Sequence, residues 1–240
     1  MNLLQKLVRP VDLPQEFLEW QCEERRSLFD TLVQGRCPRF MASHLPVLSS
    51  LNEPGAPFPI RSSTKGVGLL PRPEFLLEHV QEIHATLVRC REISSHESLN
   101  ERIGTARSLY ERPERIDPGT LGSIEIFRGQ TYHNLCRDPR ATLLFTGSAP
   151  RYLSFQVNCT VEILGLEDLR FQFIRGMRFL FEPEQFHIRQ PDYPLGYLFR
   201  VQEVFEKTPR MGRAGKNVGQ YGKREEYDRE DWRARTDPTV

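Results

Sequence analysis

The chain has 240 residues, 38% hydrophobic and 27% charged, the ordinary balance of a soluble globular protein long enough to bury a core. Its 33 Lys and Arg stand against 32 Asp and Glu, a net charge of +1, so no global field directs it to nucleic acid or an anionic membrane. No run nears the roughly 18 apolar residues of a membrane span, and Met1–Lys6 is too short an apolar stretch for a secretory signal, so a cytoplasmic location is expected.

In chain order, Asp12-Leu13-Pro14 reads as a helix start, with Asp12 a capping acceptor and Pro14 in the first turn. That helix runs to about Gln34, where Gly35 fits a C-terminal cap, and its stripe of Phe17, Trp20, Leu28 and Leu32 is expected to pack across one end of a sheet. Residues 39–48 and 58–66 are two extended candidates around the turn Asn52-Glu53-Pro54-Gly55, hence a hairpin with Pro46 and Pro59 at edges or bulges. Pro73 opens a helix carrying Leu76, Val80, Ile83 and Leu87. Residues 94–121 are the least legible, with a second helix over about Leu99–Tyr110 followed by a polar Pro/Gly loop.

From Ile124 the pattern sharpens. Ile124–Phe127 alternates as a strand, Gln130–Cys136 is a helical turn ended at Asp138-Pro139, and Ala141–Thr146 is a compact apolar strand. After the turn Gly147–Pro150, Tyr152–Leu164 alternates with Leu153, Phe155, Val157, Cys159, Val161 and Ile163 on one face. Ser154, Gln156, Asn158, Thr160 and Glu162 form the other, which meets either water or a ligand. Asp168–Phe181 is an amphipathic helix with Phe171, Ile174, Met177 and Phe181 inward. Phe186–Pro194 is an aromatic-rich loop, and Leu195–Phe205 a strand with Tyr197, Phe199, Val201, Glu203 and Phe205 on one face. The expected organisation is an N-terminal helical segment (1–37), a mostly β domain (38–208) interrupted by a helical insertion at about 73–121, and a charged, disordered tail (209–240).

Few motifs carry chemistry. The five cysteines form no CxxC pair and are expected as free thiols, and the six histidines lack metal-ligand spacing, so no metal is expected. His133 and Cys136 share a helical face but have no orienting acid beside them. Neither a phosphate loop nor GxGxxG is present, which argues against a P-loop kinase and a Rossmann dehydrogenase. Arg61-Ser62-Ser63-Thr64-Lys65 sets two cations and three hydroxyls on an extended segment, able either to surround a phosphate or to form a polar outer strand. The basic tail residues Arg210, Arg213, Lys216, Lys223 and Arg224 are followed at once by Glu225, Glu226, Asp228, Glu230 and Asp231, which fits a solvated segment better than a nucleic-acid contact.

The string Gln130 to Phe145 resembles the short helix, Asp-Pro and following strand of the pyridoxamine 5′-phosphate oxidase-like flavin proteins. Phe155-Gln156-Val157 is similar to the strand opening that follows there, and Pro59-Ile60-Arg61 through Lys65 to the strand that holds the flavin phosphate. The resemblance implies an α+β fold, mostly antiparallel β with peripheral helices: an FMN-binding split barrel, usually a homodimer with the flavin at the subunit interface. It implies Arg61, Ser62, Ser63, Thr64, Lys65, Thr131 and Gln156 as cofactor contacts and an oxidoreductase acting on a small molecule, with no catalytic residue singled out. Gly129-Gln130-Thr131 stands where the family has Ser-x-Lys, and the Arg-x-His signature of the true oxidase is missing. The alternatives are a non-catalytic split barrel for haem or another planar ligand, and a protein-interaction module.

Overall fold

The computed structural model describes residues 11–36, 42–93, 95–181, 193–209 and 216–220. Helix α1 (Gln15–Val33) starts at Pro14, whose extended backbone makes it the N-cap in place of Asp12, and stops where Gly35 takes φ +66°. Its apolar stripe meets the ends of two strands, as expected. Phe17 lies edge-on to Phe145 and Phe155, with ring centroids 5.0 and 5.4 Å away, and Trp20 stacks on Phe155.

The strands are β1 (Val47–Leu51), β2 (Ile60–Thr64), β3 (Val67–Pro71), β4 (Ile116–Ile124), β5 (Arg140–Thr146), β6 (Ser154–Leu164), β7 (Gly196–Glu206) and β8 (Lys216–Gln220). They form one antiparallel sheet in the order β2-β1-β5-β6-β7-β4-β3, with β8 added to β7. β2 and β3 are the two ends of that order, yet only Lys65 and Gly66 separate them in the chain. Three Cα steps reach no more than about 11 Å. The sheet therefore curls until its two ends meet at one corner without pairing, which makes a split barrel. The expectation of a mostly antiparallel β fold with peripheral helices holds.

Of the helices between β3 and β4, α2 (Pro73–Arg91) packs on α5 (Leu169–Phe181) and on α3 (Ser95–Tyr110), and α3 packs on α1 and α5. α5 in turn covers the outer side of β4 and β7. It comes so close that a Cβ on Gly122 would lie 2.7 Å from Ile174 Cδ1, and one on Gly196 2.7 Å from the Phe171 ring. The short helix α4 (Gln130–Arg137) lies against β1 and β2.

Four local expectations need correction. The polar loop before Leu121 is the body of β4, and Ile124 is its last residue, not the first of a strand. Residues 67–71, read as no element, form β3. Near the end of β6 the alternation breaks, so Leu164 is buried and Ile163 is 38% exposed. In β7 an extra residue at Gln202 shifts the register, since Cys159 pairs with Val201 but Asn158 with Glu203. That bulge turns Val204 into the core and sends Glu203 and Phe205 to the outer face, where simple alternation had put them with Val201. Part of the tail, Lys216–Gln220, is strand β8; residues 210–215 and 221–240 of the tail and most of the Phe186–Pro194 loop lie outside the described residues.

Candidate anion site between β2 and α4

Because successive strand residues face opposite ways, register divides the expected site residues. Arg61 and Ser63 pair with Ser50 and Leu48, whose side chains are buried in the barrel, so they belong to its inner side. Ser62 and Thr64 pair with Ser49 and Val47 and belong to the outer side, with Thr142 and Leu144 of β5 and Asn158 and Gln156 of β6.

On the inner side, α4 closes the barrel mouth. Its fully buried Asn134 donates to Ser50 Oγ (3.2 Å) and Asn52 Oδ1 (2.9 Å), and Arg137 donates to the Leu51 carbonyl (2.6 Å). These bonds set the first turn of α4 beside β2, where Thr131 Oγ1 lies 3.2 Å from Ser63 Oγ. The N-cap is Gly129, which offers no side chain, so the amides opening the helix keep the donor capacity every helix N-terminus has. The Arg61 side chain is exposed and makes no hydrogen bond or ion pair with the described residues. Two residues on, Ser63 is half-buried. The structure thus brings Arg61, Ser63 and Thr131, distant in sequence, to one edge: a cation, two hydroxyls and a helix N-terminus, a set suited to an anion.

Lys65 sits next to this edge but is turned to a buried partner. Its Nζ donates to Glu125 Oε2 at 2.6 Å, and the Tyr197 hydroxyl donates to the same oxygen at 2.5 Å. Glu125 Oε1 accepts the backbone N–H groups of Phe127 (2.9 Å) and Arg128 (3.0 Å). Burial pushes the Glu125 carboxyl upward, but the hydrogen bonds from Lys65 and Tyr197 and the lysine charge outweigh it and hold it below the usual carboxylate range. Burial, then Glu125, pushes the Tyr197 phenol far above its ordinary value. Glu125 and Asn134 are the site residues that sequence reasoning passed over. Their signal was a lone carboxylate between Ile124 and Ile126, and an amide on the inward side of a short helix.

Gln156 lies on the opposite face, in the row Thr64-Val47-Leu144-Gln156, about 14 Å from Thr64 at ordinary strand spacing. It donates to Asn158 Oδ1 (3.2 Å), which also accepts from Thr142 (2.9 Å), while Asn158 donates to Glu203 (2.8 Å). Ser62 and Ser49 bond across the same face at 2.9 Å. This outer face is polar in one row and apolar in the next, with Val47 and Leu144 each 38% exposed. Among the described residues no cluster of three metal-ligating side chains occurs, and no helix is long and apolar enough to cross a membrane.

No family model and no curated protein matches the chain. Solved structures do. HupZ of Group A Streptococcus is 11% identical with a TM-score of 0.39, over 81% of this chain and 98% of its own. The chain is similar to pyridoxamine 5′-phosphate oxidase-like split-barrel proteins. A pyridoxamine 5′-phosphate oxidase-related, FMN-binding protein of Nostoc punctiforme is 9% identical, TM-score 0.39, covering 87% and 97%. A NimC/NimA family protein of Clostridium acetobutylicum is 6% identical, TM-score 0.40, covering 86% and 99%. At such identities the likeness is one of strand arrangement and transfers no residue.

Proposed function

We propose that the chain binds FMN, with the flavin phosphate at the β2–α4 edge. The observation that carries this is the 3.2 Å meeting of Ser63 and Thr131 at the start of α4, with exposed Arg61 two residues away. Arg61 would hold the phosphate by charge-assisted hydrogen bonds and the two hydroxyls would fix its orientation. The chemistry supplied by a bound flavin is hydride transfer, so the chain is an oxidoreductase for a small molecule, and its own residues bind, orient and shield the cofactor.

Gln156 stands on the other face of the sheet, and a flat ligand cannot lie against both faces of one sheet at once. The site is therefore shared in a homodimer, where the outer face bearing Gln156, Ser62 and Thr64 serves the flavin held by the partner copy. Val47 and Leu144 supply apolar area for that contact.

The test is titration of purified protein with FMN and with riboflavin, followed by quenching of flavin fluorescence. FMN is expected to bind more tightly than riboflavin, which lacks the phosphate. A charge-assisted contact is worth about 1.5–3 kcal/mol, so Arg61→Ala should weaken FMN binding roughly 10- to 150-fold and leave riboflavin binding unchanged. Equal affinity for the two flavins, or an unchanged Kd in Arg61→Ala, overturns the assignment.

A further inference from the structure

Glu125 joins three parts of the fold. One oxygen takes the lysine between β2 and β3 and the tyrosine of β7; the other takes two successive backbone amides of the turn that leads into α4. That turn needs holding, because Arg128 has φ +46°, a left-handed conformation that side-chain-bearing residues adopt at a cost. Directly after it come Gly129, the N-cap, and Thr131, which touches Ser63.

We propose that Lys65 is a positioning residue of the anion site, acting through Glu125 on the Phe127–Arg128 turn and hence on the N-terminus of α4, and does not itself touch the bound anion. The inference rests on the reading that an anion binds at that edge and adds how the edge is built. The Glu125 side chain is 1% exposed and that of Lys65 15%. For Lys65 to swing to a ligand it would have to leave a carboxylate buried without its counter-ion, which costs more than one charge-assisted hydrogen bond returns. Lys65 therefore stays with Glu125, and the cation that meets the ligand is Arg61. Removing Lys65 leaves Glu125 with only Tyr197 as a side-chain donor. The carboxyl then takes up a proton more readily, and its grip on the two amides weakens. The other charged or titratable groups around this cluster are Tyr132 and Cys136 of α4, which act on Tyr197, and exposed Arg128 of the turn, which acts on Tyr132.

Two readouts separate positioning from direct contact. In wild type, Lys65→Met and Lys65→Arg, hydrogen exchange at the Phe127 and Arg128 amides is followed across acid pH. The loss of protection should occur at higher pH in Lys65→Met than in wild type, while Lys65→Arg, which can still reach Glu125, restores the wild-type profile. FMN affinity is then measured against salt. Lys65→Met should weaken binding with its salt dependence intact, whereas Arg61→Ala, losing a charge that meets the ligand, should flatten it. If Lys65→Met does not fold, wild type alone decides, because the Lys65 Nζ resonance should stay fixed on addition of inorganic phosphate. Unchanged amide protection in Lys65→Met, a salt dependence flattened as in Arg61→Ala, or a phosphate-induced shift at Lys65 Nζ overturns the proposal. If wild-type protein takes up no FMN, the flavin reading falls, and the exchange profiles still decide whether Lys65 holds the turn.

Discussion

A single methyl group on Gly122 measures how tightly α5 is seated on the barrel. A Cβ there would lie 2.7 Å from Ile174 Cδ1, 2.8 Å from Leu70 Cδ2 and 2.9 Å from Ile174 Cγ1. Carbon pairs sit best at about 3.5–4.0 Å, so the shortfall is roughly 0.8 Å against the tips of two buried side chains. Overpacking of this kind costs about 1–3 kcal/mol, a sizeable share of the 5–15 kcal/mol typical of a domain. Ile174→Ala alone, opening a cavity, should cost about 2–5 kcal/mol. Combined with Gly122→Ala it should cost less than the sum, because the new methyl occupies space the isoleucine vacated. A coupling within about 0.5–3 kcal/mol is expected for groups in contact. Urea unfolding followed through buried Trp20 gives all four corners of the cycle. Additivity within about 0.3–0.5 kcal/mol would show that Gly122 and Ile174 do not touch and that α5 is seated elsewhere. Gly196→Ala is the internal contrast: its Cβ would meet the Ser123 carbonyl oxygen at 2.7 Å as well as the Phe171 ring, and backbone cannot be trimmed, so Phe171→Ala should not rescue it.

Further outcomes follow from the site and the surface. The Glu125 carboxyl is held below its ordinary 4.5, so its contribution to stability is complete above about that pH and is lost as pH falls through the lower folded value. Urea midpoints of wild type should show that acid loss, and Glu125→Gln, weaker throughout, should lack this component of it. Tyr197 gives the opposite limb: its phenol is held above the ordinary 10, so its contribution to stability falls as pH rises past that value, and Tyr197→Phe removes that component while buried Tyr110 and the buried thiols keep theirs. Burial pushes the Cys22 thiol up to about 11, and Cys90 and Cys159 are buried, whereas Cys136 is exposed. Iodoacetamide at neutral pH followed by peptide mass spectrometry should therefore mark Cys136 before those three in native protein. Leu144→Asp places a charge in the outer face proposed to pair with a second copy, and light scattering should show a monomer with its fold intact; an unchanged dimer places the interface elsewhere.

The parts of the chain that could be read in advance are those where one periodicity rules. β6 alternates over eleven residues because one side faces the core and the other does not. β5, the two long helices and the Asp-Pro stop after α4 follow the same logic. β3 and β4 were lost for a definite reason. β3 is buried or half-buried along its whole length, which erases alternation, and β4 carries Asp117-Pro118-Gly119 and Gly122, the composition of a loop. Gly122 is there because α5 comes too close for a side chain, so tertiary packing wrote a turn residue into the middle of a strand. The bulge at Gln202 belongs to the same class, since a one-residue slip inverts every side chain beyond it and leaves no mark in composition.

The candidate site shows where reading by composition must yield to reading by geometry. Arg61 to Lys65 looks in the sequence like one polar wrap for a phosphate. A strand, however, sends alternate side chains to opposite faces, so an extended run of five can bring only every second one to a single ligand. Arg61 and Ser63 go one way with Thr131, and Ser62 and Thr64 go the other. Lys65, with the parity to join the first set, is captured by a carboxylate sixty residues away. The parity was available from the sequence, while the capture was not, because it depends on the sheet curling until β2, the end of β4 and β7 share one corner. The charge that β2 itself leaves free at the edge is that of Arg61, which is why a single substitution there, and not at Lys65, should decide whether the phosphate of a flavin matters to its binding.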